Sequence, residues 1–232
     1  MAVDLRGVTA VVLPGTGSDD DYVTRAFAGP LRDVGARVVA PAPQPKQLIN
    51  GYLTELTVAA RGGPIAVGGV SIGAAVAAAW ALQHPEHAVA VLAALPAWTG
   101  APGSAPAALA AHHSAQQLRH DGLAATTTQM RASSPPWLAE ELTRSWRGQW
   151  PDLPDAMEQA AAYVAPTRAQ LHRLAAPMGI AAATDDPIHP FDIGQEWADA
   201  APRAALRTVT LDQIGANPAA LGAACLAALD DT

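Results

Sequence analysis

Residues 64–82 read PIAVGGVSIGAAVAAAWAL. Pro64 to Val70 is a short, uncharged apolar run, the pattern of a strand buried on both faces. Ile72 to Leu82 follows with small residues on every side and almost no polar face, so a helix there must also be buried. Between them, Gly69-Val70-Ser71-Ile72-Gly73 spells G-x-S-x-G. A serine on a sharp strand-to-helix turn has its hydroxyl lifted above the sheet, and the flanking glycines let backbone and helix approach without a Cβ clash. The same turn aims the Ile72 amide and the helix N-terminus at a negative oxygen developing beside Ser71.

Working outward, strands and helices alternate. Val8 to Leu13 reads as a buried strand running into Pro14-Gly15-Thr16-Gly17. Ser18, with Asp21 three residues on, has the spacing of a helix-capping pair before Tyr22, Val23, Ala26, Phe27 and Leu31 at helical intervals. Arg37 to Ala40 is a second strand, and Leu48, Ile49, Tyr52, Leu53 and Leu56 stripe the next helix. His87 to Leu95 makes a further strand after the buried helix. Strict alternation predicts an α/β fold with a mostly parallel, doubly wound sheet. The alternation stops at Pro96. Residues 99–176 hold amphipathic stretches and no convincing strand, which predicts a helical cap inserted into a core of residues 1–98 and 177–232. Pro177 to Ala183, Phe191 to Ala200 and Ala205 to Leu211 resume the strand–helix–strand order, and Asn217-Pro218 opens a last helix ending near Leu229.

From Val8 to Leu229 the chain resembles the α/β-hydrolase superfamily, with the family's opening hairpin trimmed away. The resemblance rests on the G-x-S-x-G turn, on Pro14-Gly15-Thr16-Gly17 where the family carries its oxyanion loop, and on His84-Pro85-Glu86 leading into a strand. It rests also on Asp185-Asp186-Pro187-Ile188-His189-Pro190, which is similar to the family's acid loop. It implies a serine hydrolase with Ser71 as nucleophile, Asp186 as acid, and the amides of Thr16 and Ile72 as oxyanion hole.

The family order along the chain is serine, acid, histidine, with the histidine on the loop before the last helix. Asp212 to Asn217 occupies that place and contains no histidine. A serine hydroxyl without a base is a weak nucleophile, so three readings stand side by side. His189 serves as base from the acid loop; or a cap histidine, His112, His113 or His120, does; or there is no base, and the fold binds a small molecule or runs lyase or cyclase chemistry in the same pocket. Asp185 and Asp186 are adjacent and point apart, so one of them is left to order the loop.

Trp98 follows a strand end, where open α/β sheets bind ligands, and Trp137, Trp146 and Trp150 lie in the cap. Trp98, Trp137 and Trp146 are thus expected to wall an apolar pocket, with Trp146 and Trp150 sharing a helical face. Such a pocket suits an ester, lactone or thioester of an apolar small molecule. Metal-ligand spacing and dinucleotide or phosphate loops are missing from the sequence, so neither metal nor cofactor is expected. Of 232 residues, 15% are charged and the formal net charge is −7, which argues against nucleic acid or an anionic membrane as partner. A homodimer remains open. No apolar run is long enough to span a bilayer, the N-terminus lacks a signal-peptide pattern, and the expected location is the cytoplasm. The single cysteine, Cys225, sits in an apolar helical stretch and is expected to be a buried thiol.

Overall fold

The computed structural model describes residues 3–232. Six strands form one wholly parallel sheet: β1 (Thr9–Leu13), β2 (Arg37–Val39), β3 (Ile65–Val70), β4 (Ala88–Ala94), β5 (Met178–Ala183) and β6 (Ala204–Val209), in the spatial order β2-β1-β3-β4-β5-β6. Alternation along β1 sorts its side chains between two cores. Val11 and Leu13 face one side with helices α2 (Leu48–Ala60) and α3 (Ile72–Gln83), whereas Ala10 and Val12 face the other with α1 (Asp20–Asp33). Helices therefore cover both faces, as buried parallel strands require.

Between β4 and β5 the chain leaves the sheet and forms α4 (Pro106–Ser133), α5 (Pro136–Gln149), α6 (Leu153–Ala161) and α7 (Arg168–Leu171). The expected insertion is thus helical throughout its ordered elements. Within α4, Gly122 (φ +77°) breaks the helix into two. The insertion has a small core of its own around Leu118, Trp146, Leu153 and Met157. After β5 come α8 (Phe191–Ala200), β6, α9 (Leu211–Ala216) and α10 (Ala219–Asp230).

Two expectations about helix ends are corrected. Asp19, not Ser18, caps α1, its carboxylate accepting from the Tyr22 amide at 3.0 Å. Residues 212–216 are helical rather than a loop. Thr210 and Gln213 form a reciprocal capping box that starts α9 directly after β6, satisfying two amide donors at the helix start. Asn217 does cap the last helix, its side chain accepting from the Ala219 amide at 3.1 Å. Cys225 in α10 is buried, and burial pushes its thiol up to about 12. No helix among the described residues is long and apolar enough to cross a membrane.

The topology decides where a ligand can sit. The chain runs from β1 outward to β2, then returns to the other side of β1 as β3, so β1 and β3 are neighbours whose following loops diverge to opposite faces. A crevice opens at such a switch point, beyond the carboxyl ends of the strands. Leu13 pairs in register with Gly69, which brings the loop after β1 and the turn at Ser71 side by side.

Candidate active site

Ser71 joins β3 to α3 with φ +56° and ψ −114°. A non-glycine residue holds such a conformation only when its surroundings impose it. Here the imposition comes from packing. A Cβ on Gly69 would lie 2.5 Å from the Leu13 carbonyl oxygen, and one on Gly73 would collide with the Leu13 and Pro14 carbonyls. Both glycines are required by close backbone approach, and the elbow they permit is pressed against the end of β1. The Ser71 amide bonds to the Ala94 carbonyl at 2.9 Å, tying the turn to β4 as well. Ile72 is the first residue of α3, where an amide has no partner within the helix.

The loop after β1 closes as a turn, with the Ser18 amide on the Gly15 carbonyl at 3.0 Å and Gly17 at φ +69°. A positive φ at the third position is the mark of a type II turn. A Cβ on Gly15 would stand 3.7 Å from Ser71 Cβ, so Thr16 sits one residue from a direct neighbour of the serine.

The segment after β5 supplies the other side. Ser71 Oγ lies 3.0 Å from His189 Nε2, and His189 Nδ1 lies 2.7 Å from Asp186 Oδ2. The other carboxylate oxygen of Asp186 accepts from the Ile188 amide at 2.8 Å and the His189 amide at 3.3 Å. One carboxylate thus folds the three-residue turn and orients the ring that the turn carries. Burial by itself raises the Asp186 carboxyl, but the bonds from the His189 ring and the two amides outweigh it and hold the group below the usual carboxylate range. An ionised carboxylate only accepts. The Nδ1 position therefore carries the ring proton, and Nε2 is left to accept from the Ser71 hydroxyl. Asp185 points elsewhere and accepts from the Leu211 amide at 2.9 Å, fastening the loop to the start of α9.

These side chains open into a cavity of about 540 Å³ between the sheet edge and helices α4 and α5. Trp137 and Trp146 line it together with Met130, Leu142 and Met157. The last three were not singled out from the sequence, since apolar residues at helical spacing read equally well as packing. Trp98 is a correction. It is buried in the core beneath the insertion, its indole N–H donating to the Tyr163 carbonyl at 3.2 Å, and it takes no part in the cavity wall. The polar tip finds its partner inside the core, which is what a buried indole demands. Trp150 is a second correction. It lies past the end of α5 with extended backbone and an exposed side chain, so it does not share a helical face with Trp146. Among the cap histidines, His113 lines the cavity, His112 bonds to Gln116 at 3.1 Å, and His120 bonds to Asp121 at 2.5 Å. The structure brings His189, not these, to Ser71.

The fold has close counterparts of low sequence identity. An enol-lactonase from Burkholderia xenovorans LB400 superposes with a TM-score of 0.68 at 17% identity, over 89% of this chain and 84% of that one. A structure from a study of carboxylesterases of Nitrososphaera gargenis gives 0.71 at 15% identity, over 90% and 83%. A thermophilic esterase from Thermogutta terrifontis gives 0.63 at 15%, over 97% and 85%. No curated protein sequence matches the chain. The model of the alpha/beta hydrolase family matches residues 2–216, nearly the whole length, and the chain belongs to that family.

Proposed function

We propose that the protein is a serine hydrolase that cleaves an ester, lactone or thioester of an apolar small molecule through an acyl-enzyme on Ser71. The observation that carries this reading is the continuous hydrogen-bond chain from Ser71 through His189 to Asp186, at 3.0 and 2.7 Å. In this reading His189 Nε2 takes the Ser71 proton as Oγ attacks the carbonyl carbon. The negative oxygen of the tetrahedral intermediate is held by the Thr16 and Ile72 amides. Asp186 stabilises the imidazolium and fixes its orientation. The intermediate collapses, the leaving alcohol or thiol takes the proton from His189, and a water activated by the same ring releases the acid. The insertion acts as a cap, and the mainly apolar wall of Met130, Trp137, Leu142 and Met157 favours an uncharged acyl group.

The competing reading, a binding protein or a lyase or cyclase, was motivated by the absence of an imidazole at residues 212–217. An imidazole 3.0 Å from the serine removes that motive. The test is a series of p-nitrophenyl esters of two to ten acyl carbons. Turnover that rises with acyl length, and vanishes in Ser71→Ala, supports the proposal. Absence of turnover across the series, or turnover undiminished in Ser71→Ala, overturns it.

A further inference from the structure

Helix α5 does more than line the cavity. One of its faces grips the loop that follows β1. The Ser145 hydroxyl, buried, donates to the Gly17 carbonyl at 2.7 Å. The Gln149 amide, one turn on, donates to the Ser18 carbonyl at 2.9 Å and to Ser145 Oγ at 2.8 Å. Arg144 closes two bonds on the Asp19 carboxylate, at 2.5 and 2.9 Å. Three consecutive loop residues are therefore held by three residues of a helix that lies more than a hundred positions away along the chain, on the inserted segment.

Two details separate this from ordinary packing. The Gln149 side-chain oxygen is buried without a partner. A buried orphan is destabilising, and an apolar side chain of the same length would avoid it; what the amide adds is its donor end on the loop. Further, an added Cβ on Gly17 would meet the Trp146 ring nitrogen at 2.7 Å. The turn is thus stoppered from above by the indole, and it is held from its two carbonyls at the same time. Freezing the Gly17 and Ser18 carbonyls fixes the peptide planes on both sides of Ser18. The first of these planes carries the Ser18 N–H, which bonds to the Gly15 carbonyl; that carbonyl shares its rigid peptide plane with the Thr16 N–H, so the Thr16 amide has little freedom to turn.

We infer that Ser145 and Gln149 are positioning residues for the Thr16 oxyanion amide, so that the cap completes the active site and is more than a cover. The inference rests on the hydrolase reading. The Arg144–Asp19 pair, with Arg144 exposed and Asp19 largely covered, orients the start of α1. The buried Ser145 and Gln149 bonds set the geometry.

The experiment uses Ser145→Ala and Gln149→Glu, the latter nearly isosteric but with its donor replaced by an acceptor facing the Ser18 carbonyl. Arg147→Ala, an exposed change on the same helix, serves as control. Four quantities are measured on the full chain: kcat and KM separately on an ester that the wild type turns over, the exchange rate of the Ser18 amide hydrogen by NMR, and the melting temperature. Losing one oxyanion donor outright costs about 100- to 1000-fold in rate. Loosening it is expected to lower kcat by about tenfold, with KM unchanged within about twofold. The Ser18 amide, bonded to the Gly15 carbonyl, should exchange about fivefold faster, the weight of one neutral hydrogen bond. A merely structural role lowers the melting temperature and leaves kcat at 25 °C untouched; that result, or unchanged Ser18 exchange in both variants, overturns the inference. Should Ser145→Ala not fold, Gln149→Glu decides alone. A wild type inert to every ester overturns the hydrolase reading and this one with it. An active wild type with kinetically silent variants overturns this one only.

Discussion

The two segments that meet at Ser71 are built on opposite principles. The elbow at residues 69–73 is held by backbone: glycines pressed on the Leu13 and Pro14 carbonyls, and a strained φ of +56° at the serine. The turn at 186–189 is held by one side chain, since Asp186 makes the bonds that fold it and also the bond that orients His189. Backbone closeness tolerates no added atom but is blind to chemistry. A carboxylate-centred turn tolerates an isosteric change but depends on which atoms donate. The first segment can be disrupted by volume and the second by charge, and variants should sort accordingly.

The widest separation comes from Asp186→Asn. The amide oxygen still accepts from the Ile188 and His189 amides, so the turn survives. The amide nitrogen, however, can donate to Nδ1 and leave Nε2 protonated, unable to accept from Ser71. On the precedent of a buried triad aspartate exchanged for asparagine, kcat should fall about ten-thousandfold, with the melting temperature at neutral pH shifted by only a few degrees. Unfolding of this variant would show that the two segments do not differ as described.

Gly73→Ala is the converse case. Its Cβ meets backbone carbonyls that cannot rotate away. Overpacking of this kind costs about 1–3 kcal/mol, read as a fall of roughly 3–10 °C in melting temperature. The rate should fall as well, because the elbow shifts. A variant as stable as wild type would mean that the close approach is not what shapes the turn.

The smallest effect is on acid stability. Asp186 is held below its ordinary range in the folded chain, so its interactions add stability at pH values above the unfolded carboxylate value of about 3.9. That stability is lost as pH falls from there through the lower folded value. Melting temperatures from pH 6 down to pH 2.5 should therefore drop more steeply for wild type than for Asp186→Asn. Parallel curves would show that the carboxylate gains nothing from its place in the turn.

The sheet was legible because its four inner strands, β1, β3, β4 and β5, are uncharged apolar runs with glycine or proline close by, while the edge strands β2 and β6 carry Arg37 and Arg207. The G-x-S-x-G and P-G-T-G segments were legible because each sits at a strand end. The sequence also offered Asp186 and His189 as candidates, three residues apart. What spacing could not convey is that the carboxylate bonds its own turn and so swings the imidazole toward Ser71. The helix at 211–216 carried a signal that went unread, the T-x-x-Q capping pattern of Thr210 and Gln213. Trp98 was misplaced because a tryptophan at a strand end reads alike whether its ring turns up to a ligand or down to the Tyr163 carbonyl. The grip of Ser145 and Gln149 on the loop after β1 was out of reach, since those pairs are 128 and 131 residues apart.

In the proposed mechanism His189, from the acid loop, is the base that activates Ser71. The rate at which a fluorophosphonate labels the protein, with mass spectrometry locating the adduct, tests this role. Wild type should label rapidly on Ser71. The rate should fall in His189→Ala by at least about a thousandfold, within the loss of up to a millionfold that follows removal of a triad base, and change little in His113→Ala. Labelling of His189→Ala at the wild-type rate, or loss of labelling in His113→Ala instead, would rule His189 out as the base.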